Sequence, residues 1–223
     1  MKKYDLIFVC LLLVFLIARD DQIKGPMGFS ITRIQYDGGG DWYSDPSSLP
    51  NLLSFIGSNT NIKVNKIERR ARIGDDIFNR SDFLYLTGHG NIKFSDNEAS
   101  DLREHLLAGA FLHADDNYGM DKYFKREMEK VFPDKDWVEI PPNHDLFNIL
   151  FKFPDGLPKV HKHDNNRPQA FGIFDNGRLL ALYTYESDLG DGWEDREVHN
   201  NPEDIRNMAL KMGTNIVIYS LLN

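Results

Sequence analysis

The sequence predicts an α/β domain with a mainly parallel central sheet and one added antiparallel hairpin. Two short apolar runs, residues 83–87 (Phe-Leu-Tyr-Leu-Thr) and 111–114 (Phe-Leu-His-Ala), read as buried strands, since strands covered on both faces lose polar alternation. A helix signature lies between them. Residues 170–174 and 178–185 flank Asp175-Asn176-Gly177, and Asn-Gly is the pair a type I′ hairpin turn favours. At 223 residues, 41% of them hydrophobic, the chain can hold one good-sized core, and no linker divides that core in two.

In chain order, residues 29–36 (Phe-Ser-Ile-Thr-Arg-Ile-Gln-Tyr) alternate well enough for a first strand. It ends in Asp37-Gly38-Gly39-Gly40-Asp41-Trp42-Tyr43, read either as a flexible turn or as a site loop. Residues 49–56 read as a helix with Pro50 near its start. Residues 62–73 carry Val64 and Ile67 among Lys and Arg, a second strand or extended segment with one exposed face. Ser95-Asp96-Asn97-Glu98 has capping-box spacing, and Ala99, Leu102 and Leu106 follow at helical intervals until Gly109 closes the helix. Residues 119–131 form an amphipathic helix stopped by Pro133, and residues 146–151 form a short apolar element. Residues 186–194 (Glu-Ser-Asp-Leu-Gly-Asp-Gly-Trp-Glu) read as an acidic loop, with Trp193 lining a pocket wall or folded onto the core. Asn201 as N-cap and Pro202 at the first helical position open a last helix running to Tyr219, with a final strand over 216–218 as the alternative.

Ligands of parallel sheets sit beyond the strands' carboxyl ends. The predicted strands end in Asp37 and Asp41, in Gly88-His89-Gly90, and in Asp115-Asp116, so these groups converge if the sheet is parallel. His89, Asp115, Asp116 and His144 are therefore the catalytic candidates, and Asp37, Asp41, Trp42, His89, Asp115, Asp116, Asp188 and Trp193 the ligand-binding ones. His144, in Pro141-Pro142-Asn143-His144-Asp145, reads equally as a donor that stabilises its loop. One of the paired aspartates is expected to cap the helix that follows it. His161-Lys162-His163-Asp164 has the His-x-His spacing of some metal sites but sits in a polar stretch, so surface histidines are the plainer reading. His113 and Asp115 share a strand face and complete the metal-ligand candidates. No cofactor is expected.

Lys2 and Lys3 precede an apolar run over residues 6–18, followed by Arg19-Asp20-Asp21. The run suits a signal peptide better than a membrane span of about 20 residues. The large Leu16 three residues before the break at Ala18 keeps an uncleaved tether as the alternative, with membrane contact at the N-terminus. The expected organisation is a signal or tether over 1–18, a linker over 19–28 and one domain over 29–223, exported to the periplasm or cell envelope. A net charge of −8 argues against nucleic acid as a partner. Cys10, inside the apolar run, is the one cysteine.

Ile34-Gln35-Tyr36-Asp37, Gly40-Asp41-Trp42-Tyr43, Tyr85-Leu86-Thr87-Gly88-His89-Gly90 and Leu102-Arg103 resemble the bacterial domain-of-unknown-function family 4159. So do Asp115-Asp116, Gly177-Arg178, Asp188-Leu189-Gly190, Trp193-Glu194 and the closing residues 209–219. The resemblance implies a class I glutamine amidotransferase-like fold, akin in shape to trehalose-utilisation-type proteins, and hence a flavodoxin-like three-layer sandwich. Active amidotransferases of that fold carry a cysteine at the strand-to-helix elbow, which here corresponds to His113-Ala114-Asp115-Asp116-Asn117. A mature chain without cysteine has no thiolate to attack an amide, which excludes glutaminase chemistry. Ala110 departs from the family's usual second glycine after Gly109. Two readings of function follow. One is a non-catalytic domain of the bacterial envelope that binds a small polar ligand or envelope protein partners. The other is a hydrolase, metal-assisted or not, using Asp115 or Asp116 with His89 or His144.

Overall fold

The computed structural model describes residues 28–163 and 165–223, so the expected signal or tether over 1–18, linker residues 19–27 and Asp164 lie outside the described residues. Seven strands form one sheet: β1 (Thr32–Ile34), β2 (Arg69–Ala71), β3 (Phe83–Leu86), β4 (Phe111–Asp115), β5 (Val138–Glu139), β6 (Gln169–Asp175) and β7 (Arg178–Tyr185). Their order is β2-β1-β3-β4-β7-β6-β5. The first five are mutually parallel, and β7-β6 and β6-β5 are antiparallel. Read along the parallel part, this is the flavodoxin-like order 2-1-3-4-5.

The helices are α1 (Ser48–Asn59), α2 (Asp96–Leu107), α3 (Asp121–Val131), α4 (Leu189–Trp193), α5 (Arg196–His199) and α6 (Glu203–Leu222). Strand alternation decides which face each covers. Phe83, Tyr85 and Phe111 point into a core with Leu49 and Leu53 of α1, Trp193 of α4 and Met212 and Ile216 of α6. Leu84, Leu86 and Leu112 point the other way, onto Leu102 and Leu106 of α2 and Phe124 and Met128 of α3. The result is three layers. No helix among the described residues is long and apolar enough to cross a membrane.

Local signals set several boundaries. Ser95 Oγ accepts from Glu98 N at 3.2 Å while Glu98 Oε2 accepts from Ser95 N at 2.8 Å, which is the capping box of α2. Asn176 and Gly177 take φ of 47° and 85°, as a type I′ turn demands. Elsewhere tertiary context overrides the sequence pattern. The first strand shortens to Thr32–Ile34, because Phe29 only bridges Val64 and Asp37 swings across to Lys93. The second shrinks from 62–73 to Arg69–Ala71. Residues 146–151 give only a 3-10 turn, Asp145–Phe147. The acidic segment 186–194 contains the helical turn α4. The last helix starts one position later than expected, with Pro202 as N-cap, and stays helical through 216–218. There Ile216 and Val217 continue the buried stripe of Ala209 and Met212 against the sheet, where a strand would turn alternate residues away.

Candidate functional site

The sheet reverses its winding between β1 and β3, the usual place for a ligand crevice in such folds. Main chain fills it. Gly40 N donates to Asn91 O at 2.9 Å and Lys93 N to Asp37 O at 2.7 Å, zipping the two loops together. A Cβ on Gly40 would lie 2.7 Å from His89 O, so glycine is what permits this contact. The three-glycine loop thus serves packing. Asp37 pairs with Arg72 at 2.6 Å on the surface, and Asp41 holds His89, its Oδ2 3.0 Å from the ring Nδ1. Trp42 lies half-buried against the α2/α3 core, edge-on to Tyr43.

Polar groups gather instead beyond β4 and β7. Asp115 is fully buried; Gly190 N donates to its Oδ2 at 2.7 Å, and the Thr184 hydroxyl donates to its Oδ1. Burial pushes its pKa up to about 8 against those hydrogen bonds. Asp45 and Asp188 both sit in the left-handed backbone region, with φ of 53° and 55°. Asn117 Nδ2 donates to Asp45 Oδ2 at 2.6 Å. Burial and the Asp191 carboxylate raise Asp45 to about 7; burial, with Asp115 and Asp191 behind it, raises Asp188 to about 9. Three oxygens crowd Gly190: a Cβ there would meet Asp45 Oδ2 at 2.8 Å, Tyr85 OH at 3.0 Å and Asp115 Oδ2 at 3.3 Å. The Tyr85 hydroxyl is buried with no hydrogen-bond partner.

Over this floor lies the segment carrying His161 and His163. His161 Nδ1 is 2.8 Å from Asp191 Oδ2, and His163 Nε2 is 3.1 Å from Asp188 Oδ2. From α5, His199 Nε2 comes within 3.4 Å of Asp191 Oδ1. Two sets of three donors, His161–His163–Asp191 and Asp45–Asp191–His199, each gather within 4.8 Å and share Asp191. Mixed imidazole and carboxylate donors are those that hold a transition-metal ion. The chain belongs here to a matched family, whose model is described as "Domain of unknown function (DUF4159)" and covers residues 30–221.

This is a DUF4159 domain.

No curated protein matches the chain. Several candidates from the sequence lie elsewhere in this DUF4159 domain. Asp116 turns to the opposite face from Asp115, in the turn ahead of α3, whose N-cap is Met120 with no side-chain cap; burial raises it to about 6 against the Met120 N–H and the neighbouring Tyr183 hydroxyl. His113 is a core residue between Tyr85 and Trp193, its Nε2 3.0 Å from Thr184 Oγ1, and burial lowers its pKa to about 3. It cannot reach the metal-donor cluster. His144 accepts from Leu146 N at 3.2 Å and packs on Phe174 and Tyr219, at the hairpin end of the sheet. It stabilises its loop and is no part of the site. Trp193 is a core residue too, its indole N–H donating to Ala209 O at 2.8 Å.

Asp45, Asn117, Asp191 and His199 escaped the sequence reading. The one available signal was Asp188-x-x-Asp191, two carboxylates a helical turn apart; the others come from separate loops.

The raised carboxyls make stability depend on pH. Asp115 and Asp188 are held above their unfolded value of 3.8, so the folded chain keeps protons that the unfolded chain has released. Their contribution is full below that value and is lost as pH rises through about 8 and 9. In metal-free buffer, stability is expected to fall between pH 6 and pH 9 by at least about 2 kcal/mol, roughly 4 °C or more in Tm. Calorimetry at the two pH values checks this; a Tm that holds or rises would mean both carboxyls ionise in place.

Proposed function

We propose that this DUF4159 domain is a non-catalytic binding domain of the bacterial envelope, with a small, positively charged polar ligand held beyond β4 and β7. One observation carries the reading: Asp45, Asp115, Asp188 and Asp191 converge under two histidines, and burial together with the neighbouring carboxylates disfavours the ionised forms of Asp45, Asp115 and Asp188. A cation is the partner that relieves both. Export fits the apolar run over residues 6–18, and an envelope protein presenting a basic side chain is within the same chemistry.

The sheet order supports a class I glutamine amidotransferase-like arrangement, with the turn after β4 as counterpart of the nucleophile elbow. At that elbow Asp115 is committed to Gly190 and Thr184. His89 is tied to Asp41 at the rim, and His144 lies by the hairpin turn, so neither stands beside Asp115 as an acid–base partner. This favours binding over hydrolysis.

The test is a thermal-shift series on the full chain with divalent cations, polyamines, and neutral and anionic metabolites, beside Asp188→Asn. Cations are expected to raise Tm, and Asp188→Asn to demand at least about tenfold more ligand for the same shift. A response confined to anionic or neutral compounds, or one untouched by the substitution, would overturn the reading.

A further inference from the structure

From the histidine segment we infer that the ligand is a divalent transition-metal ion of the zinc type, held by His161, His163 and Asp191. This rests on the cation-binding site proposed above and names its ligand. Three features of the geometry argue for it together.

The donor set is the first. Two imidazoles and one carboxylate lie within 4.8 Å of one another, which matches a three-ligand zinc site that keeps its fourth position open. Ligands on a tetrahedral ion at zinc's bond lengths stand roughly 3.3 Å apart. His161 Nδ1 and Asp191 Oδ2, at 2.8 Å, need to open only by about half an ångström to admit one. Magnesium and calcium prefer oxygen throughout and are poorly served by two imidazoles.

The second feature is the support behind the donors. Asp188 meets His163 Nε2 at 3.1 Å, the carboxylate–histidine contact that fixes the tautomer and aim of a ligating ring. Tyr118 stacks on the His163 ring with centroids 4.6 Å apart and planes 23° from parallel. Tyr118 adopts a φ of 71° to do so, a conformation uncommon for a tyrosine. The His199 Nε2 atom, shut off from solvent without a hydrogen-bond partner, faces Asp191 Oδ1 at 3.4 Å. It is placed to steady the carboxylate once Oδ2 turns to a metal.

The third is access. His161 and His163 side chains are 42% and 28% exposed while Asp191 beneath them is 8% exposed, so an ion can enter from solvent and meet a buried charge. The second set, on Asp45 and His199, lies deeper, with Asp45 Oδ2 already taking the Asn117 amide. It therefore serves as backing to the first.

The experiment is a titration of the metal-free, full-length chain with Zn²⁺ and Co²⁺, followed by Co²⁺ visible absorption and bound-metal stoichiometry. One ion per chain is expected, with the strong visible bands of a low-coordinate cobalt site, displaced by Zn²⁺ and not by Mg²⁺ or Ca²⁺. His161→Ala and His163→Ala should each weaken Zn²⁺ binding at least tenfold, and His144→Ala should leave it unchanged. The wild-type chain offers a readout independent of any variant, since Zn²⁺ should shift the ring resonances of His161 and His163 and spare those of His144. Cation-induced stabilisation by Mg²⁺ or a polyamine, with both ring signals unmoved by Zn²⁺, would overturn the metal assignment and leave the cation-binding site standing. No response to any cation would overturn both.

Discussion

Arg33→Ala is expected to destabilise the domain by about 3–5 kcal/mol, enough to unfold much of it near body temperature. Arg33 is fully buried in β1 and spends its whole fork on neighbours. Nε donates to Glu68 Oε2 at 3.1 Å, Nη1 to Ser44 O at 2.7 Å and Nη2 to Asp45 O at 3.1 Å. Its removal leaves Glu68, itself buried, with Arg70 alone at 2.7 Å, and frees the loop that carries Asp45. Arg33→Lys should be nearly as harmful, because an ammonium cannot reach three directions in one plane. The paired change Arg33→Met with Glu68→Leu should recover part of the loss, since both charges are then gone. Urea denaturation of the three variants checks the expectation. A single-variant loss below about 1 kcal/mol would mean that the arginine is replaceable by water.

Trp193→Ala should cost about 3–5 kcal/mol as well, and it should also reach the site. The indole fills the core among Tyr85, His113 and α6, and its N–H satisfies Ala209 O. Gly213 passes so close that a Cβ there would sit 2.7 Å from the ring. Trp193 is also the end of α4, two residues after Asp191, while Glu194 Oε1 accepts from Ser47 N at 2.8 Å and Ser48 N at 3.1 Å at the head of α1. Loss of the indole therefore loosens the turn that aims Asp191. Trp193→Phe, which keeps most of the volume and strands one carbonyl, should cost only about 1–2 kcal/mol. Denaturant titration separates the two, and equal losses would sink the packing argument.

The fold was largely legible because its signals are local. Asn176-Gly177 dictates a turn, Ser95 and Glu98 a helix start, and the runs at β3 and β4 a buried sheet. These point to the carboxyl end of β4, where Asp115 lies. The site itself was read only in part, because its members meet through long-range folding. Asp45 is placed by Arg33, Asp191 by the burial of Trp193, and His199 by a four-residue helix with no pattern of its own. The same gap explains His144 and His113. A histidine's neighbours in sequence do not disclose whether Tyr219 or Thr184 will be waiting for it. His161 and His163 read as surface residues because the carboxylates beneath them, Asp188 and Asp191, follow in the chain only after the whole β6–β7 hairpin.

The seam between the loops after β1 and β3 also fixes where a side-chain replacement could reopen the winding reversal. Its bonds run from Gly40 N to Asn91 O and from Lys93 N to Asp37 O, so they are made of backbone and depend on side chains chiefly through the absence of one at Gly38 and Gly40. Most replacements along these loops therefore leave the winding reversal closed, whereas one added methyl at Gly38 or Gly40 would force the two backbones apart.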